Sequence, residues 1–425
     1  MRFTVYSNDW FLEKLDNVCQ FVRDGTHGSF KDVEIGIPLL SAKDIFDGKI
    51  NINENSRLIS IDDYNTIHKN YELTKGDILL TIVGTIGRTA MVNMDEKFTL
   101  QRSVAILRVN EQISYNFLYY YIQTSAFQNR LKSVVNQSAQ GGVYLNSLKK
   151  LNIKLTADMN EQNKISSFLS IIDKKIELLE QKYQYYQEFK KYLMQQIFTQ
   201  KLRFKNDKQW NVYLLRNFIN EYNERMGNKS NLPILSSTLN GIFLQNEYFN
   251  KSVSSKDVKN YKIVPNGYFT YRSMSDTGKF RFNIQSIVEV GIISPAYPVF
   301  STQNIDDYFL YYYLNNSNFI KKQILSLKEG GTRYALSFSK FKKLKISLPS
   351  LEEQEKIANF LSAVDKKIDL IQTQIQKMEE FKKGLLQQMF VVRINWRCNF
   401  KLAKSPSFNK HLLILKNKII FIIIK

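Results

Sequence analysis

Groups able to meet a phosphate or the edge of a base recur at two corresponding places in this chain. Gly84-Thr85-Ile86-Gly87-Arg88 lies between two short β-like runs, and Arg272-Ser273-Met274-Ser275-Asp276-Thr277-Gly278-Lys279 occupies the equivalent position later on. Glycine lets a backbone approach closely, while hydroxyls, amides and guanidinium groups supply donors to phosphates and base edges. Thr85, Arg88, Arg272, Ser273 and Lys279 are therefore the leading candidates for nucleic-acid contact, joined by Gln101, Arg102, Arg333 and Tyr334. A single loop of this kind resembles any surface turn. Two loops with matching flanks and different residues suit the reading of two different sequences. Tyr119–Tyr121 and Tyr311–Tyr313 offer rings for stacking on bases, but within helices a core role is favoured.

Catalytic chemistry finds no such support. The three histidines, His27, His68 and His411, are scattered. The two cysteines, Cys19 and Cys398, lie far apart and form no CxxC pair, so neither a disulfide framework nor a zinc site is expected. The phosphate-cradling GxxxxGK[ST] pattern is absent. So is the Asn/Asp-Pro-Pro-aromatic motif of adenine methyltransferases, since no two prolines are adjacent. Asp95-Glu96-Lys97 reads as a solvated charged turn. No catalytic residue, metal or cofactor is expected.

The formal net charge of +21 suits a polyanionic partner, here nucleic acid. With 44% hydrophobic residues the chain can bury sizeable cores, and 425 residues suggest two or three domains. The opening MRFTVYSNDW lacks an apolar signal core. The apolar stretch from His411 to Ile424 is broken by Lys416 and Lys418 and is shorter than the ~20 residues of a spanning helix. A cytoplasmic protein is expected.

The loops must be positioned by something, and the chain is written twice. EQNKISSFLSIIDKKIELLEQKYQYYQEFKKYLMQQIF at 161–198 recurs as EQEKIANFLSAVDKKIDLIQTQIQKMEEFKKGLLQQMF at 353–390, an offset of 192 with 21 of 38 positions identical. Weaker echoes lie upstream: Trp10 and Leu15 with Trp210 and Leu215, Ile37–Ser41 with Leu232–Ser236, Phe117–Tyr121 with Phe309–Tyr313, and Gly141-Gly142 with Gly330-Gly331. In the first copy Ile165, Leu169, Ile172, Ile176, Leu179, Tyr183, Tyr186, Lys190, Leu193 and Ile197 follow alternating steps of four and three, a heptad seam. In the second copy Ile357, Leu361, Val364, Ile368, Ile371, Ile375, Met378, Lys382, Leu385 and Met389 do the same, with Lys at the same place. Either helix alone would leave an apolar stripe in water, so the two are expected to pack together.

Ahead of each copy lies a variable segment, with β-like runs at Asp77–Val83, Ser103–Val109 and Leu151–Leu155 in the first and at Lys262–Thr270, Ile284–Val290 and Leu344–Leu348 in the second. Helical stretches are expected at Ser114–Ser133 and Ile305–Leu327. The predicted fold class is α+β: two mixed α/β domains separated by two long helices in an antiparallel coiled coil, with pseudo-two-fold symmetry. The domains are 1–160, helix 161–200, domain 201–350, helix 351–390 and a basic extension 391–425.

The duplicated EQxKIxxFLSxxDKKI…EFKKxLxQQxF segments, KKLKISLPSLEEQ at 342–354, and Lys75-Gly76-Asp77-Ile78-Leu79 with Gly84–Gly87 resemble the specificity subunit of type I restriction-modification systems. The resemblance covers roughly 1–390. It implies a non-catalytic subunit whose two target-recognition domains each read half of a bipartite DNA site. The helices would set the spacing, two modification (methyltransferase) subunits would bind, and restriction subunits would join them. A stand-alone DNA-binding repressor or architectural protein is the alternative. The resemblance also implies an end near Phe390, yet 35 residues follow, with eight Lys or Arg and no acid. They read either as a further DNA-binding arm or, preferably, as an extension without an evolved role.

Overall fold

The computed structural model describes residues 9–136, 141–204, 209–228, 232–248, 258–326 and 334–390. Arg333, Gly330-Gly331, Cys398, His411 and the whole of 391–425 lie outside the described residues. The chain divides into two compact units. One comprises residues up to Ile176 together with those from Lys377 onward, and the other comprises Glu177–Gln376.

In the first unit Cys19–Asp24, Val104–Val109, Ile78–Thr81 and Thr89–Met91 form an antiparallel sheet in that order. Ile78, Leu80, Ala105, Leu107 and Val22 face one apolar cluster, and the alternating Leu79, Val104 and Ile106 face another. Burial on both faces is why these strands read as continuous apolar runs. Phe11–Lys14 pairs with Asn152–Leu155, and Ile37–Leu40 lies between Leu58–Ile59 and a parallel Thr99–Leu100. The Lys75-Gly76-Asp77 motif has a structural task. Gly76 takes φ +92°, and buried Asp77 accepts from Arg108 Nε at 2.8 Å and Nη2 at 2.7 Å.

The second unit repeats this plan. Ile219–Glu221, Val299–Thr302, Phe269–Thr270 and Asn283–Ile284 form a sheet of the same order, and Asn211–Leu214 pairs with Lys345–Leu348. Two expected strands are broken here. Lys262–Thr270 divides at Asn266-Gly267, where Gly267 has φ +82°, into Lys262–Pro265 and Phe269–Thr270 in separate sheets. Ile284–Val290 becomes a loop between Asn283–Ile284 and Val290–Ile293. The buried Gln285 side chain satisfies that loop's backbone, accepting from Ile287 N at 2.7 Å and donating to Val288 O at 2.6 Å.

Both expected long helical stretches are broken too. Ser114–Ser133 is two helices, Tyr115–Ile122 and Ser125–Ser133, because Thr124 Oγ1 donates to Tyr121 O and caps Phe127 N. Ile305–Leu327 contains Asp307–Asn316 and Asn318–Ser326, separated by extended Ser317. The clusters Tyr120-Tyr121 and Tyr312-Tyr313 are buried in the cores.

The repeated segments are helices Met159–Phe198 and Leu351–Phe390, of 40 residues each, or about 60 Å at 1.5 Å per residue. Ile165, Leu169, Ile172, Leu179, Ile357, Leu361, Val364, Ile368 and Ile371 of the seam are buried, and Ile176 is half-buried. In the first unit the start of the first helix shares a core with Met378, Phe381, Leu385 and Phe390 of the second. In the second unit Tyr183–Phe198 of the first helix shares a core with Ile357–Ile368 of the second. In both units a helix start lies beside a helix end, so the coiled coil is antiparallel.

The conserved letters of the repeat are anchors. Gln162 Oε1 accepts from Ser114 N at 2.8 Å, and Gln354 Oε1 from Asp306 N at 3.1 Å, tying each helix start to its own unit. Phe390 packs on Phe117 at 5.1 Å and Tyr121 at 5.7 Å, while Phe198 packs on Tyr313 at 5.4 Å and Phe309 at 6.2 Å. Each unit is thus plugged by the last residue of one helix and seated on the start of the other. No described helix is long and apolar enough to cross a membrane.

Candidate nucleic-acid interface

Strand register decides where the loops emerge. In the first unit Thr81 lies opposite Val104, Leu80 opposite Thr89, and Asp24 opposite Ala105. The turn 82–88, the stretch 101–103 and the stretch 25–28 therefore leave the same end of one sheet. Thr85, Arg88 and Arg102 are exposed there, and Gln101 is half-buried.

The turn is held in shape. Gly84 and Gly87 have φ +78° and +93°, Thr81 Oγ1 donates to Thr85 O and accepts from Arg88 N at 2.9 Å, and Gln128 Nε2 donates to Gly87 O at 3.0 Å. The neighbouring stretches are laced together by Thr26 N donating to Leu100 O at 2.7 Å and Arg102 N to Thr26 O at 3.0 Å. A side chain at Gly25 would begin 2.1 Å from Leu100 O, so the approach needs glycine.

The second unit does the same with other residues. Phe300 lies opposite Glu221 and Phe269, and Thr270 lies opposite Val299 and Asn283. The loop 271–282 and the stretch from Tyr222 leave the corresponding sheet end. Arg272 and Lys279 are exposed. Ser273 Oγ donates to Ala296 O at 2.8 Å, and Tyr334 pairs with Ser275 across a short ladder. Arg272, Ser273, Lys279 and Tyr334 are thus brought into one loop pair, while Arg333 lies outside the described residues.

The structure adds residues that the sequence reading did not single out. Beside Gln101 and Arg102 opens a cleft of about 530 Å³ lined by Phe21, Arg23, Asp24, His27, Asn70 and Tyr71. Arg23 lies 3.5 Å over the Tyr71 ring, whose other neighbour is His68 at 4.6 Å. Asp24 Oδ2 holds His27 Nε2 at 2.8 Å. Burial pushes the Tyr71 phenol up, so it stays neutral. The signal that could have found the cleft is Asp24-Gly25-Thr26-His27-Gly28, a polar, glycine-bearing turn straight after a strand. At the corresponding place the second unit carries Tyr222, Glu224 and Arg225.

Among the described residues, Cys19 and His68 are structural. Cys19 is buried, and burial pushes its thiol up to about 12, far from a reactive thiolate. His68 is held between Tyr71 O at 3.0 Å and Thr99 Oγ1 at 2.9 Å, and burial lowers its pKa. Asp95-Glu96-Lys97 is an exposed turn with Asp95 on Lys75 at 2.8 Å. Among the described residues no cluster of His, Cys, Asp or Glu could hold a metal.

Two duplicated loop-bearing units on a shared helix pair define a protein with two reading heads. The family model for the type I restriction modification DNA specificity domain matches twice, at residues 9–185 and 207–380, and the chain belongs to that family. It is a specificity subunit, the component that recognises DNA sequence rather than a catalytic one. It is 26% identical over 415 residues to the MjaX type I restriction enzyme specificity subunit of Methanocaldococcus jannaschii, a name that protein carries provisionally; the match covers 91% of this chain and 94% of the relative. It is 29% identical over 161 residues to the EcoBI specificity subunit of Escherichia coli, covering 37% of this chain and 33% of that one. The fold is similar to the S subunit from M. genitalium, with a TM-score of 0.55 at 16% identity, covering 91% and 97% of the two chains. It is also similar, at TM-score 0.54 and 15% identity, to a chain solved in work on complex assembly and conformational transition of a type I system, covering 91% and 99%. Assembly with other subunits of such a system follows from this membership.

Proposed function

We propose that the two units, taken as recognition domains 1–160 and 201–350, each read one half of a bipartite DNA site in the cytoplasm. The helices set the distance between the halves and dock two modification subunits, to which restriction subunits add. The extension 391–425 has no part in site choice. One observation carries this reading: the units share a sheet order and a loop-bearing sheet end, yet present different residues there. In this reading Thr85, Arg88, Gln101 and Arg102 meet one half-site, and Arg272, Ser273, Lys279, Arg333 and Tyr334 the other. The helix pair supplies a docking face as well. Leu178, Tyr185 and Tyr192 are exposed at heptad spacing on the part of the first helix that belongs to the second unit, on one side of it.

Exchanging residues 10–160 for the corresponding segment of a relative tests the proposal. Mapping methylated adenines made by the assembled complex should show one half of the site changed and the other retained. A change in both halves would sink independent reading.

A further inference from the structure

We propose that the cleft beside Tyr71 in the first unit reads the major-groove edge of a G·C base pair, with Arg23 on guanine and Asp24 on cytosine; this rests on the DNA-reading function above. The first ground is that Arg23 is prepared but unspent. Its guanidinium carbon lies 3.5 Å over the centre of the Tyr71 ring, its Nε is buried without a hydrogen bond, and among the described residues nothing pairs its remaining donors. The other arginine at this cleft differs. Arg108 is committed to buried Asp77 through two bonds and lies 4.7 Å over Phe21, so it braces the wall. A planar fork held by an aromatic ring loses little freedom on binding and matches the paired acceptors N7 and O6 of guanine.

The second ground is the mixture of groups. A phosphate offers only acceptors, and a site for one gathers donors and positive charge. This cleft places the Asp24 carboxylate next in sequence to Arg23, together with the His27 imidazole and the Asn70 amide. A carboxylate repels a phosphate but accepts from the amino group of cytosine, the partner of the guanine that an arginine selects. The third ground is position. Of the rim residues, Gly25 N donates to Val104 O at 3.1 Å and Thr26 is bonded to Leu100 and Arg102, so this rim of the cleft lies at the loop end of the sheet, beside exposed Arg102. The second unit carries Asn223 and Glu224 in the corresponding strand extension, so the two units would not read the same pair here.

Selection of duplexes from a random pool by the full chain tests the assignment, with Arg23→Ala, Arg23→Lys and Asp24→Asn compared with the parent. Thermal melting of each variant selects those that are folded, and Arg23→Lys preserves the stem and charge if Arg23→Ala does not fold. The parent should select a two-part motif with a G·C pair in one half. Arg23→Ala and Arg23→Lys should both lose discrimination at that one pair by roughly 5- to 150-fold. The other half should be unchanged, as should the slope of affinity against salt. Asp24→Asn should relax the same pair. An unchanged motif with weaker binding and a shallower salt slope, rescued by Arg23→Lys, would make Arg23 a phosphate contact and overturn the proposal. An unchanged motif and affinity would overturn it as well. A parent that selects no two-part motif would overturn the DNA-reading function itself.

Discussion

Removing the Asp173 carboxylate should loosen the joint between the first unit and its helices. Asp173 Oδ1 receives Lys382 Nζ at 2.6 Å, and its Oδ2 receives the Tyr120 hydroxyl at 2.9 Å. Lys382 also reaches Gln123 Oε1 at 3.4 Å and lies 5.6 Å over the Tyr120 ring. One carboxylate thus ties a domain helix to both long helices, at the seam position where the heptads carry lysine. The ion pair is partly solvated, with side chains 20% and 33% exposed, so it contributes up to about 1 kcal/mol. The tyrosine bond to a charged acceptor contributes about 1.5–3 kcal/mol.

Asp173→Ala should therefore cost about 2–4 kcal/mol, or roughly 4–16 °C in Tm for a unit of this size. Asp173→Asn should cost less, because an amide oxygen still accepts from Tyr120. Lys382→Met makes the seam apolar and should cost little by itself, but it strands the carboxylate. Urea unfolding of the parent, Asp173→Asn, Lys382→Met and the double variant gives the coupling, expected near 1 kcal/mol. Additivity within about 0.5 kcal/mol would refute the joint. The second unit has the same triad in Asp365, Lys190 and Tyr312, with the tyrosine bond at 2.6 Å, and the same cycle there should give the same sign.

His68 is held neutral by burial, so its folded pKa lies below the ordinary 6.5. Below that pH the unfolded chain takes up a proton that the folded one refuses. Stability should fall as pH drops from 6.5 towards the lower folded value, by at most about 1.4 kcal/mol per pH unit. His68→Gln should flatten that part of the curve of unfolding midpoint against pH; parallel curves would show that His68 does not carry it. Inserting seven residues after both Leu179 and Ile371 keeps the heptad register and lengthens each helix by about 10 Å. The spacer between methylated half-sites should grow by about three base pairs, and an unchanged spacer in a folded, active variant would leave the helices only a docking role.

The helix pair was legible because its information is local and periodic. Steps of four and three from Ile165 to Ile197 define a buried stripe without reference to anything else. Duplication then implied two alike units, and the glycines at 84 and 87 marked a turn through their conformational freedom. Element limits were less legible, because single polar side chains decided them against the apolar pattern. Gln285 folds its own backbone into a loop where an apolar run promised a strand, and Thr124 caps a helix in mid-stretch. The shared lysine of the two seams was visible, but its reason was not. Lys382 and Asp173 are 209 positions apart, and only the antiparallel pairing brings them together. The same holds for the cleft. Arg23 and Tyr71 belong to separate segments with no common period, and only the folded chain brings one over the other. Composition and period determine which surfaces must be buried, whereas which polar groups meet depends on long-range packing, which no local pattern encodes.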